Sequence, residues 1–176
     1  GSYLCRIPSD SLSADLSRVF FSYSAVVDDI ESIADHVVNL ANLIQQKYER
    51  KISFTRWGHE DLNEIVALVA DNLNDAIFLM EKPDEMKIRA ITEREEAVDQ
   101  KVKESRERHQ ERFCKGICQV QAGPVFIEML INLERISDHC QNIADYAEDM
   151  QPWRRCHQDG LSPSPSDHEL PTALSP

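Results

Sequence analysis

The chain has 176 residues, enough for one domain with a sizeable core, and 41% hydrophobic against 28% charged residues is the balance of a folded, soluble protein. With 31 acidic and 19 basic residues the net charge is −12, a surface that repels nucleic acid and anionic lipid and attracts cations. No apolar run reaches the ~20 residues of a transmembrane helix, no signal peptide is expected, and Cys5, Cys114, Cys118, Cys140 and Cys156 form no CxxC pair, which reads as reduced cytosolic thiols.

Residues 1–10 carry Pro8 and no periodicity and read as a flexible segment, with Gly1-Ser2 resembling a tag scar. From about Ser11 to Lys51, Leu16, Val19, Phe20, Ile30, Ile33, Val37, Leu40 and Ile44 recur at three- and four-residue steps, which predicts a first helix capped by Ser11 or Ser13. Gly58 falls just beyond its basic end. A second helix is expected from about His59 to Glu81 on the stripe Leu62, Val66, Val69, Leu73, Ala76 and Met80. Pro83 stops it, and Asp84 is the natural N-cap of a third helix reaching about Phe113. Gly116 and Gly123-Pro124 punctuate the chain, and a fourth helix follows Pro124 with Phe126, Met129, Leu133, Ile136, Cys140 and Ile143 on its apolar side. Residues 154–176 are rich in proline and serine and read as a disordered tail, with Trp153 able to pack on the bundle end. The fold expected over 11–153 is all-α, an antiparallel up-and-down four-helix bundle.

An internal repeat carries more information than the periodicity. Ile30-Glu31-Ser32-Ile33-Ala34-Asp35-His36 aligns without a gap on Leu133-Glu134-Arg135-Ile136-Ser137-Asp138-His139, and Asn39 and Ala41 continue the match to Asn142 and Ala144. Two such segments suggest a duplicated unit, the first helix closing one repeat and the next three forming another. At 100° per residue, Glu31 and Asp35 lie about 40° apart on one helical face, as do Glu134 and Asp138. Like charges one turn apart are mildly unfavourable, and a bound cation reverses that sign. All-oxygen ligand sets suit hard cations or iron. A solvated acidic face and a cation site are both open on this pattern alone.

The third helix adds a carboxylate where a bundle wants an apolar side chain. Glu95 lies between Ile91 and Val98 on the seam, and Asp99 follows one turn later. Such a group needs a partner. Arg94, Arg106 and Arg135 are the plain candidates; a cation shared with Glu134 and Asp138 is the sharper one. His36 and His139 point about 100° away from the adjoining Asp and are expected to pack or to orient a carboxylate rather than to ligate. Asp71 and Asp75 form a same-face pair without the flanking pattern and read as surface.

Leu133-Glu134-Arg135-Ile136-Ser137-Asp138-His139-Cys140-Gln141-Asn142-Ile143 resembles the ERIGD…NI signature of the PhoU family of phosphate-transport regulators, and Glu95-Glu96-Ala97-Val98-Asp99-Gln100 is similar to that family's second acidic motif, E(D)xxxD. The resemblance covers about 20–150 and lacks most of a first repeat, as a PhoU-like domain of a sodium/phosphate cotransporter relative would. It implies a helical bundle binding iron or zinc on the acidic motifs, with magnesium or calcium as further candidates. Carried over by position, Glu95, Asp99, Glu134 and Asp138 would form one metal site, and Glu31 and Asp35 part of a second, incomplete one. It further implies a regulator, not an enzyme, acting at the cytoplasmic face of the membrane on a phosphate transporter or on a transmembrane part of its own. A homodimer is compatible with this; nucleic-acid and direct lipid binding are not expected.

Two other readings compete. A ferritin-like di-iron enzyme would want inward-facing Glu-x-x-His motifs, whereas this chain offers Glu-x-x-x-Asp on faces turned from the apolar stripe. A plain helical interaction module with solvated acidic faces needs no metal at all.

Overall fold

The computed structural model describes residues 14–150. The expected flexible segment 1–10, the Ser11/Ser13 cap, Trp153 and the tail 154–176 lie outside the described residues. Those residues form four helices and no strand: α1 (Ala14–Glu49), α2 (Arg56–Glu81), α3 (Glu85–Cys114) and α4 (Ala122–Asp149). No helix among them is long and apolar enough to cross a membrane.

Local chemistry sets each boundary. Asp84 caps α3 as expected, accepting hydrogen bonds from the Met86 and Lys87 amides at 2.9 and 3.2 Å. The expected start of α2 at His59 is too late. Thr55 Oγ1 accepts from Gly58 N at 3.2 Å, so Thr55 is the cap and Gly58 lies inside the first turn. A Cβ on Gly58 would meet Phe126 Cε2 at 3.4 Å, about an ordinary van der Waals contact, so the first turn of α2 packs directly on α4. The fourth helix likewise begins at Ala122, before Pro124 rather than after it, because a first-turn proline needs no intrahelical amide partner.

α1 and α3 end in the same way, on different residues. Ile52 N bonds Lys47 O and Lys51 N bonds Tyr48 O at the end of α1; Ile117 N bonds Arg112 O and Gly116 N bonds Phe113 O at the end of α3. Both are Schellman caps with a left-handed residue, Gly116 at φ 68° and Lys51 at φ 54°. Only glycine adopts that conformation without strain. Lys51→Gly is therefore expected to stabilise the fold by about 0.5–1 kcal/mol. Gly116→Ala should destabilise it by about 1 kcal/mol. Urea midpoints of the two variants would read opposite shifts.

The chain runs up and down. α4 packs against each of the other helices, α2, α3 and α4 pack on one another, and α1 lies chiefly along α4. Ile65, Leu79, Ile91, Val98, Phe126, Leu130 and Cys140 fill the centre and are fully buried. The α1–α4 contact follows the sequence repeat. His36 Nδ1 lies 2.9 Å from Asn132 Oδ1, and His139 Nδ1 lies 2.6 Å from Asp29 Oδ1. Asp29 and Asn132 occupy equivalent repeat positions, as do His36 and His139, so each histidine meets the counterpart of the other's partner. The two imidazoles stack between them with centroids 5.7 Å apart. The duplicated helices thus cross antiparallel about a local two-fold axis.

Candidate metal centre

The α3 seam runs Ile88, Ile91, Val98, Val102, Ser105, all buried, and Glu95 takes the slot between Ile91 and Val98. A bundle holds that slot half-buried, and the helical turn carries Asp99 onto the same edge. α4 lies alongside and supplies Asp138. One oxygen from each of Glu95, Asp99 and Asp138 comes within 4.8 Å of the other two.

Three of the four carboxylates expected on α3 and α4 therefore meet. Glu134, one turn before Asp138, is held differently: Arg106 Nη2 donates to its Oε2 at 2.8 Å. Arg135 Nη1 reaches Asp138 Oδ2 at 3.2 Å from an exposed position. The third arginine, Arg94, turns towards α2. Among the described residues no direct ion pair reaches Glu95 or Asp99. Burial, followed by the charges of Asp99 and Asp138, pushes the Glu95 carboxyl above its ordinary range. Burial and then Asp138 do the same to Asp99, with Arg106 opposing. The cluster holds negative charge that Arg135, on Asp138, and Arg106, near Asp99, offset only in part.

Glu31 and Asp35 occupy the equivalent positions on α1, where both are exposed, and neither belongs to the carboxylate cluster. The expected role for the histidines fits their places: both bridge α1 and α4, and His139 shares Asp29 with Asn142, whose Nδ2 donates at 3.1 Å.

Asp75 is not the surface residue the sequence pattern implied. Its carboxylate, only 17% exposed, pairs with both Lys87 and Arg94. Burial pushes its pKa up, but the hydrogen bonds from Lys87 and Arg94 outweigh it and hold the group below its ordinary range. Arg94 Nε also donates to Asn72 Oδ1 at 2.7 Å, and Asn72 Nδ2 donates to the buried Ser137 hydroxyl at 2.9 Å. This network ties α2, α3 and α4 together one turn from the carboxylates. Its signal in the sequence was Asn72, an amide on the otherwise apolar face between Val69 and Ala76.

The three-carboxylate cluster fits a cation. Oxygen ligands bind such ions at ~2.0–2.6 Å, so ligand atoms lie up to ~5 Å apart across the ion. The three oxygens all lie within 4.8 Å of one another, which suits calcium as they stand and needs the side chains to draw in slightly for the shorter bonds of zinc, iron or magnesium. The donor set is oxygen only, which suits iron, magnesium or calcium and is open to zinc through carboxylates. Neither a curated protein nor a solved structure matches the chain. Residues 62–147, from α2 to α4, match the family model of the PhoU domain, which supports the PhoU family for that stretch.

Proposed function

We propose that this protein is a non-catalytic, metal-binding regulator of phosphate uptake, in which α3 and α4 hold a cation between Glu95, Asp99 and Asp138. The family assignment supports a role in regulating phosphate homeostasis, since PhoU domains are regulatory rather than catalytic. The observation that carries the metal reading is the meeting of three carboxylates from two helices, with each nearby arginine engaged elsewhere or at the rim. A bound cation would neutralise the repulsion that lifts Glu95 and Asp99, and would tie α3 to α4 at mid-height. Iron or zinc is the proposed ion. Glu134 would join the ligand set by exchanging Arg106 for the metal; Glu31 and Asp35 would complete a second site only against a further helix.

The proposed setting is the cytoplasmic face of the membrane, attached to or acting on a phosphate transporter of the sodium/phosphate cotransporter type. The net charge of −12 favours a protein partner over lipid or nucleic acid.

Metal content tests the site. Purified protein loaded with iron(II) or zinc and then desalted should retain metal, and Glu95→Gln/Asp138→Asn should lose it while keeping its helical circular dichroism. Equal retention by both proteins would place the metal elsewhere. No retention of iron, zinc, magnesium or calcium by the wild type would favour the plain interaction module, to which Arg106 and Arg135 already lend support by neutralising two carboxylates.

A further inference from the structure

The net charge of −12 sets lipid aside for the molecule as a whole, but that charge is not evenly spread. Residues 50–59 and 112–121 carry Arg50, Lys51, Arg56, Arg112 and Lys115 and not one acidic side chain. They are the α1–α2 and α3–α4 connections with the turns beside them, and an up-and-down bundle brings both to one end. Ser53 N donates to Gln119 Oε1 at 3.1 Å, and the Phe54 ring meets Phe126 edge-on at 5.5 Å, which joins the two connections into one face. The opposite end is mainly acidic, with Glu81, Asp84 and Glu85 around the α2–α3 turn and Glu148 and Asp149 closing α4.

The basic end also projects apolar side chains. Tyr48, Trp57, Phe113, Ile117 and Val120 are all exposed, Val120 by 72% and Tyr48 by 86%. The cavity between the connections, lined by Phe54, His109, Cys118 and Phe126 among others, has a volume of about 10 Å³, room for no more than one water. It receives no side chain of a protein partner, and the apolar tips stand outwards from it. Lys51 sits on the same face under strain. It holds φ 54° in a cap whose counterpart at the end of α3 is Gly116, so a charged residue is kept where glycine costs less. Lys51 is exposed, and no packing accounts for it.

We propose that this end of the bundle docks on an anionic lipid surface. Tyr48, Trp57, Ile117 and Val120 enter the headgroup layer, and Arg50, Lys51, Arg56 and Lys115 meet the lipid phosphates. Charge complementarity favours this occupant, since each lysine or arginine near such a surface adds attraction while the acidic end is repelled and turned away. Aromatic and aliphatic tips among cations are the side chains that settle at a bilayer interface. A nucleic acid would satisfy the cations and leave Ile117 and Val120 in water. Arg56 and Lys115 pair with Glu60 and Glu111 at 2.8 and 3.7 Å, but all four groups are exposed, and such pairs yield readily to a phosphate. The strained Lys51 then has a reason, because its ammonium lies at the docking face. None of this depends on the carboxylate cluster.

Flotation of the full 176-residue chain with phosphatidylcholine vesicles containing phosphatidylserine should recover it in the lipid fraction, less so at high salt. Vesicles of phosphatidylcholine alone should recover little. Lys51→Gly should weaken binding about fivefold and Lys51→Gly/Lys115→Gln about 25-fold, at about 1 kcal/mol per cation. Because Lys51→Gly is expected to melt above the wild type, its weaker binding would not be a loss of fold. Trp57→Ser/Val120→Ser should also bind less, which a purely ionic contact would not show. Glu95→Gln/Asp138→Asn should bind vesicles as the wild type does, so this inference and the metal reading fail separately. No recovery with phosphatidylserine would overturn the inference and leave the face to an acidic protein surface. Binding unchanged in either double variant at this end, or equal capture by duplex DNA, would overturn it as well.

Discussion

Arg94→Ala is expected to destabilise the fold by about 3 kcal/mol, lowering the melting temperature by roughly 6–12 °C. The guanidinium meets Asp75 with one arm and Asn72 Oδ1 with its Nε, and Asn72 in turn donates to Ser137 in the buried centre. Removing it leaves the Asn72 carbonyl oxygen, in a fully buried side chain, without that donor, and leaves Asp75 on Lys87 alone. An unsatisfied buried acceptor keeps its full desolvation penalty, which is larger than the net worth of an ordinary hydrogen bond. Lys87→Ala should cost less, because that ammonium is one-third exposed and Asp75 keeps its guanidinium partner. Arg94→Lys should recover only part of the loss, since an ammonium cannot serve Asp75 and Asn72 with a rigid fork. Thermal unfolding of the three variants measures the order. A drop of under 1 kcal/mol for Arg94→Ala would mean that water takes over the network and that it does not hold the helices together.

The second large effect concerns the carboxylates. Metal at a hundred times its dissociation constant should raise stability by about 2.7 kcal/mol, and a chelator should reverse the change. For a chain of this size that is a melting shift of roughly 5–10 °C. The sign with pH differs between the two forms. In the metal-free protein Glu95 and Asp99 hold protons more tightly than in the unfolded chain, whose ordinary values are 4.5 and 3.8. Their contribution is therefore favourable below those values, fades as pH rises through the raised folded ones, and leaves like-charge repulsion among Glu95, Asp99, Asp138 and Glu134 at neutral pH. Metal binding needs the ionised carboxylates, so the metal-induced shift should shrink as pH falls into the same window. Calorimetry with and without chelator at several pH values reads both trends. A shift that is unchanged in Glu95→Gln/Asp138→Asn would assign it to metal bound at another place.

Four helices were legible in the sequence because each signal was local. Apolar spacing marked α1 to α4, Asp84 after Pro83 marked the entry to α3, and Glu95 betrayed itself by occupying an apolar slot. The repeat at Glu31–Asp35 and Glu134–Asp138 was equally visible, since it is a property of residue order alone. The boundaries that slipped depended on less local facts. Thr55 rather than a later residue caps α2 because its hydroxyl takes the Gly58 amide, one turn ahead of the apolar stripe that marked the helix. Lys51 takes a left-handed conformation that its side chain does not advertise.

What the tertiary structure alone decided was which charges meet. The one-turn spacing of Glu134 and Asp138 treats them alike, yet Arg106 from α3 claims the first, and the second turns to Glu95 and Asp99. Asp75 and Asp71 share a helix face, but only Asp75 lies where α3 brings Lys87 and Arg94. The repeat marked His36 and His139 as equivalent without saying that they stack on each other across a two-fold contact. Helical periodicity fixes the direction of a side chain to within a face. Its partner depends on the rotation and register of a second helix, and those follow from packing summed over the whole core.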